Sequence, residues 1–221
     1  MGFAVSWMFE DRKAYGAAER EAARAVARLD PQAVAHERGV RFDQGSGRFF
    51  VPFFSQEVIV TLPGATVRSA DGQAMSGAVA VLALHYLSYR GEPLPGQGWR
   101  AYREMPGARH FAPAFERMAE ERLAHHFGKT PWRFALAADL LGGKSGDAGE
   151  FSFVFRAFPR LKIMAVLWPS DEEFEGSAKL LFPPGAPYYL HSEDLAALGV
   201  VLAERLVALD QDQPPDRGRP R

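Results

Sequence analysis

The chain has 221 residues, 26 of them basic and 27 acidic, for a net charge of -1, and it contains no Cys. The even charge balance lacks the basic excess of a nucleic-acid binder, and the absence of Cys excludes disulfides, thiolate zinc sites, iron–sulfur ligation and cysteine nucleophiles from this chain. With 47% hydrophobic and 24% charged residues, the composition is that of a globular domain, expected over 1–209, with a disordered tail, "DQDQPPDRGRPR", over 210–221.

The opening "MGFAVSWMFEDRK" has too short an apolar run for a signal peptide. No stretch approaches the ~20 apolar residues of a membrane helix, so no membrane partner and a cytoplasmic location are expected. Asp11 to Leu29 reads as a helix with Ala14, Ala18, Ala22, Val26 and Leu29 on one stripe. Asp30-Pro31 starts a second helix that Gly39 closes. The period then changes to two: strands flank "QGSG" and a turn near Ser55-Gln56, with Pro52 and Pro63 at edges or strand ends. From Ser76, a plausible N-cap, to Tyr89 the chain is apolar nearly all round, which predicts a buried central helix.

The stretch "RGEPLPGQGWRAYREMPGARHFAP" is long, rich in Gly and Pro, and carries three aromatics, a composition of functional rather than disordered loops. An amphipathic helix follows, with Phe115, Met118, Ala119, Leu123 and Phe127 on one face and Gly128 at its end. Pro131 opens another that Gly142-Gly143 ends. Three strands, "FSFVFRAF", "LKIMAVLW" and "SAKLLF", come next, and the connector "PPGAPYYLH" leads to a last helix from about Glu193 to Leu209, capped by Ser192. Runs of strands separated from runs of helices predict an α+β fold, with antiparallel sheets from two β regions around a buried central helix.

Several motifs resolve to structure. Gly-Lys-Ser in "LLGGKSGD" has Ala138 where a phosphate loop needs glycine, and a helix rather than a strand precedes it. His125 and His126 are adjacent on a helix and cannot chelate together; Glu121 and His125 fit a surface ion pair. His85 in the central helix reads first as a hydrogen-bonded core histidine, although Tyr86 and Tyr89 beside it allow it to face a pocket. Asp171, Glu172 and Glu173 follow Trp168-Pro169 and splay apart, which predicts a solvated turn without a metal; no metal site is expected anywhere. Arg100, Arg103 and Arg109 in the loop, and Arg156 and Arg160 around Pro159, suit a planar carboxylate or phosphate, or pair with Glu104 and the 171–173 acids.

Three ordered blocks, "LHYLSYRGEPLPGQGWRAYREMPG", "FVFRAFPRLKIMAVLWPSDEEF" and "YYLHSEDLAALG", resemble a bacterial and archaeal family described as domain of unknown function 3786, over about Ala14 to Leu209. The matching positions include Trp99, Tyr102, Arg103, Glu104, Arg156, Arg160, Trp168, His191, Glu193 and Asp194. The resemblance implies proximity to an iron–sulfur or corrinoid protein partner and to tetrapyrrole or redox-cofactor metabolism. It supplies no catalytic role and names no cofactor.

The expected function is binding of an anionic, partly aromatic small molecule, with tetrapyrrole- or corrinoid-related molecules the class that the resemblance implies. Its pocket is expected between the 91–112 loop and the 156–174 hairpin, with Trp99, Tyr102, Arg103, Glu104, Arg156, Arg160, Trp168 and His191 as ligand-binding residues. Two alternatives stand beside it: a hydrolase or transferase using Glu104, Asp171 or His191 as acid or base, and a ligand-free interaction module. His191, at the mouth of the last helix, is further expected to share one concave surface with Arg103 and Trp168.

Overall fold

A computed structural model describes residues 12–75 and 77–213. Ser76, the expected cap of the central helix, and the tail beyond Gln213 lie outside the described residues. In chain order the elements begin with α1 (Arg12–Val26), α2 (Pro31–Arg38), β1 (Arg41–Asp43), β2 (Arg48–Phe53), β3 (Gln56–Thr61), β4 (Thr66–Ser69) and α3 (Gly77–Ser88). The edge strand β5 (Arg100–Ala101) and two 3-10 turns then lead to a rod: α4 (Ala112–Phe115), a π-helical turn (Glu116–Glu120) and α5 (Glu121–Phe127). After it come α6 (Pro131–Leu140), β6 (Lys144–Ser145), β7 (Phe151–Phe158), β8 (Leu161–Trp168), β9 (Ser177–Phe182), α7 (Ala186–Tyr189) and α8 (Ser192–Gln211).

The fold is α+β, with two antiparallel sheets. The first is a meander in the order β1-β2-β3-β4, and its alternation buries Phe49, Val51, Phe53, Val58 and Val60 on one face. Asp30 caps α2 by accepting from the Gln32 backbone N–H at 2.9 Å, and Gly39 ends it at φ +67°. The second sheet runs β5-β9-β8-β7-β6. Its inner face presents Phe155, Ala157, Ile163, Ala165, Leu167, Leu180 and Phe182, all buried beneath the helical layer. That layer includes α8, where Gly199 lies against Leu180, and α6, where Phe134 meets Phe153 with ring centroids 5.5 Å apart. Phe53 and Phe158, 4.9 Å apart, join the two sheets.

Helix α3 is buried nearly all round, as its composition predicts. Tyr86 stacks on Phe158 at 4.3 Å and donates its hydroxyl to the Arg38 carbonyl at 2.6 Å. Burial raises the Tyr86 hydroxyl well above the ordinary phenol pKa.

Two boundaries differ from expectation. The last helix runs to Gln211, and Asp210 is buried, accepting from Arg133 Nε at 2.6 Å and bonding His126 Nε2 at 2.8 Å. Residues 210–213 are therefore part of the fold, because a buried ion pair anchors them. At the other end of α8 the cap residue is His191 rather than Ser192, since the Asp194 carboxylate reaches back to the His191 backbone N–H at 3.2 Å.

Candidate functional site

Strand pleat places the first candidate surface. Arg156 and Lys162 pair directly across β7 and β8, and Lys144 of β6 pairs with Val154 of β7. Because Phe155 and Ile163 point into the core, their neighbours Val154, Arg156 and Lys162 face outward on the same side of the sheet. Trp99, half-buried just before β5 at the far edge, closes the space over them. The resulting cleft of about 630 Å³ is lined by Trp99, Lys144, Ser145, Val154, Arg156 and Lys162, with Asp147 its one carboxylate.

Three cations against one carboxylate make the lining electropositive. The Trp99 indole offers a flat apolar wall, and the Arg156 guanidinium presents a planar fork of donors that matches carboxylate geometry.

A second constellation occupies the mouth of α8. His85 Nδ1 lies 3.0 and 2.9 Å from the two oxygens of Asp194. The His191 ring sits edge-on to His85 with centroids 5.4 Å apart and rests on Tyr89 at 3.5 Å. Tyr102 donates its hydroxyl to the Ser192 carbonyl at 2.9 Å, which docks the long loop onto the start of this helix. Burial alone would lower the His85 pKa, but the hydrogen bond and charge of Asp194, with Glu21 and Glu193 nearby, leave it raised. His191 is lowered, chiefly by burial and further by His85. Glu193 is raised by burial and by the charge of Asp194.

The eight residues expected to bind ligand divide between these places. Trp99 and Arg156 meet in the cleft. Tyr102 and His191 belong to the mouth of α8. Arg103 is ion-paired with Glu116, and Glu104 accepts the Ala101 backbone N–H at 2.8 Å rather than an arginine. The Arg160 backbone N–H donates to the Tyr86 hydroxyl at 3.1 Å, while its side chain lies against Gly39.

Trp168 is 45% exposed at the end of β8, roughly 23 Å at the rise of a strand from Leu161, the residue after Arg160. The shared surface expected for His191, Arg103 and Trp168 is not formed. Trp168 alternates with the inward Leu167 and so faces away from the helical layer that carries His191.

The acids after Trp168 form a local turn. Asp171 Oδ1 accepts from the Glu173 and Phe174 backbone N–H groups at 2.9 and 2.7 Å, which hold its carboxyl below the ordinary range. Among the described residues His126, rather than His125, is the histidine of α5 that meets a carboxylate, Asp210 at 2.8 Å.

Lys144, Lys162 and Asp194 are site residues that sequence reasoning left out of its set. Lys162 was within reach, since a turn centred on Pro159-Arg160 places it opposite Arg156. Asp194 bonds a histidine 109 positions away, which no local pattern signals.

These features describe an α+β protein with an electropositive cleft on one sheet face and a histidine–carboxylate cluster on the helical side. The chain belongs to the family described as Domain of unknown function (DUF3786), whose family model matches residues 30–205. No curated protein and no solved structure matches it. Among the described residues no helix is long and apolar enough to cross a membrane.

Proposed function

We propose that the protein binds an anionic, partly aromatic small molecule in the Trp99–Arg156 cleft. The observation that carries this reading is the convergence of Trp99 from the long loop with Arg156, Lys162 and Lys144 from the sheet around one cleft of about 630 Å³, a volume in the ligand-sized range of ~300–1,000 Å³. An aromatic body would stack on the indole, and two or more carboxylates would meet the cationic side chains, with Arg156 as the bidentate partner. Planar polycarboxylates of the tetrapyrrole type meet both requirements. The competing acid–base reading loses two of its three groups to local bonds, because Glu104 and Asp171 each satisfy the backbone of their own turns.

The test uses coproporphyrin III, a planar tetracarboxylate, as probe. Saturable quenching of tryptophan fluorescence is expected, and Trp99→Phe should diminish it. Arg156→Glu combined with Lys162→Glu should weaken binding at least tenfold, the equivalent of about 1.4 kcal/mol, with thermal stability unchanged. Equal binding by the reversed-charge variant, or none by the wild type with this probe or with molecules recovered by native mass spectrometry, overturns the reading.

A further inference from the structure

We propose that His85, His191 and Asp194 form a binding site for one divalent transition-metal ion. One ligating atom from each residue lies within 4.8 Å of the others. Two imidazoles and a carboxylate are the donor set of zinc and related borderline ions, and three protein ligands leave a coordination position open.

The three residues come from two elements, α3 and the start of α8. His85 is held by the buried helix α3. Asp194 is buried and oriented by the backbone N–H of His191, to which it is bonded at 3.2 Å. His191 is exposed, with its ring against Tyr89.

The His85–Asp194 spacing suits ligation, and the His191 donor stands within 4.8 Å of both. With metal–ligand bonds of ~2.1 Å, neighbouring donor atoms stand about 3.0–3.4 Å apart. His85 Nδ1 and the Asp194 oxygens stand 2.9–3.0 Å apart. Two imidazoles on one such ion have centroids roughly 4.5–5.2 Å apart, against 5.4 Å here.

A structural His85–Asp194 pair would need no second imidazole beside it. The surroundings are also those a dication relieves. Glu193 adjoins Asp194 in the first turn of α8, so two carboxylates stand together there. The partial positive charge of the α8 N-terminus opposes a cation, and the carboxylates of Glu193 and Asp194 in its first turn offset it.

The site lies on the helical side of the second sheet and is separate from the Trp99–Arg156 cleft. The experiment titrates the untagged full chain, stripped with a chelator, with zinc chloride against a chromophoric competitor, and with cobalt(II) chloride by visible absorption. One zinc per chain and ligand-field bands of a nitrogen- and oxygen-ligated cobalt are expected. His191→Ala, at an exposed position, should weaken zinc binding by about 100-fold or more, at least the loss seen when supporting residues of metal sites are removed. Asp194→Asn should do the same, His125→Ala should not, and the Arg156→Glu, Lys162→Glu variant should bind zinc like the wild type. No stoichiometric zinc, or zinc retained in the folded His191→Ala variant, overturns the proposal. If Asp194→Asn melts early, His191→Ala alone decides.

Discussion

The Leu180 backbone N–H donates to the Glu120 carboxylate at 3.1 Å, so a side chain from the π-helical turn takes the place of a strand along the edge of β9. Lys179 Nζ reaches the same carboxylate at 2.5 Å. A π-turn adds a residue to the helical circuit and re-aims the side chains around it; here Glu120 is directed at the sheet edge.

Glu120→Ala leaves the buried Leu180 N–H without an acceptor and should cost about 2–3 kcal/mol in urea unfolding. Glu120→Gln keeps an acceptor and should cost less. Burial raises the folded pKa of Glu120 above its ordinary 4.5, even with Lys179 opposing. The stability this group contributes is therefore present below its unfolded pKa and lost as pH rises through the folded value. The advantage of wild type over Glu120→Gln should shrink as pH rises above 4.5, and a gap that widens contradicts the assignment.

Asp210 carries the end of α8. Its carboxylate holds Arg133 at 2.6 Å and His126 at 2.8 Å, although it lies in a segment whose composition reads as tail. Asp210→Ala should cost about 1–3 kcal/mol, below the ~3–5 of a fully buried pair, because both partners retain some exposure to water. Truncation after Leu209 should cost at least as much, and melts of the two variants against wild type check this.

Gly199 sets two effects against each other. An interior helical Gly→Ala exchange normally gains about 1 kcal/mol. At Gly199 the added Cβ would fall inside van der Waals contact with Phe115 Cε2 and within 3.0 and 3.1 Å of Phe115 Cζ and Leu180 Cδ1. Phe115 has little room to yield, with Tyr102 at 4.2 Å between ring centroids. Overpacking of this kind costs about 1–3 kcal/mol and should win. A Gly199→Ala variant with a higher melting temperature would refute this.

Arg38 is fully buried beneath Tyr188, Tyr189 and Tyr86, whose ring centroids lie 5.1, 5.2 and 5.7 Å from its guanidinium carbon. It donates to the Tyr89 carbonyl and lies 3.4 Å from Glu37, but its Nε and Nη1 have no acceptor. Arg38→Ala should cost about 3–5 kcal/mol through the cavity and the orphaned partners. Arg38→Met should cost less than half of that, because it refills the volume and removes the desolvation cost of the unpartnered N–H groups. Equal losses in chemical denaturation would show that the charge, rather than the volume, matters.

Much of the fold was legible locally. The 3.6 period marked the rod of α4 and α5, and the 2.0 period marked β2 and β3, because burial on one face writes itself into neighbouring residues. Asp30, Gly39 and Pro131 marked helix ends because capping and ring constraints act within a turn. The electropositive half of the cleft was partly legible too, since a tight hairpin fixes Arg156 opposite Lys162.

What only the tertiary structure decided are pairings between distant chain positions. Composition and period do not say that Arg100 would pair with Phe182 and carry Trp99 to the sheet, or that His85 would meet Asp194. Nor does a helix-ending arginine announce that Arg38 will be buried under three tyrosines. Pleat and packing, rather than residue type, put Trp168 and His191 on opposite sides of the second sheet. One residue of register moves a side chain from one face to the other, and faces acquire their meaning only when layers close on each other.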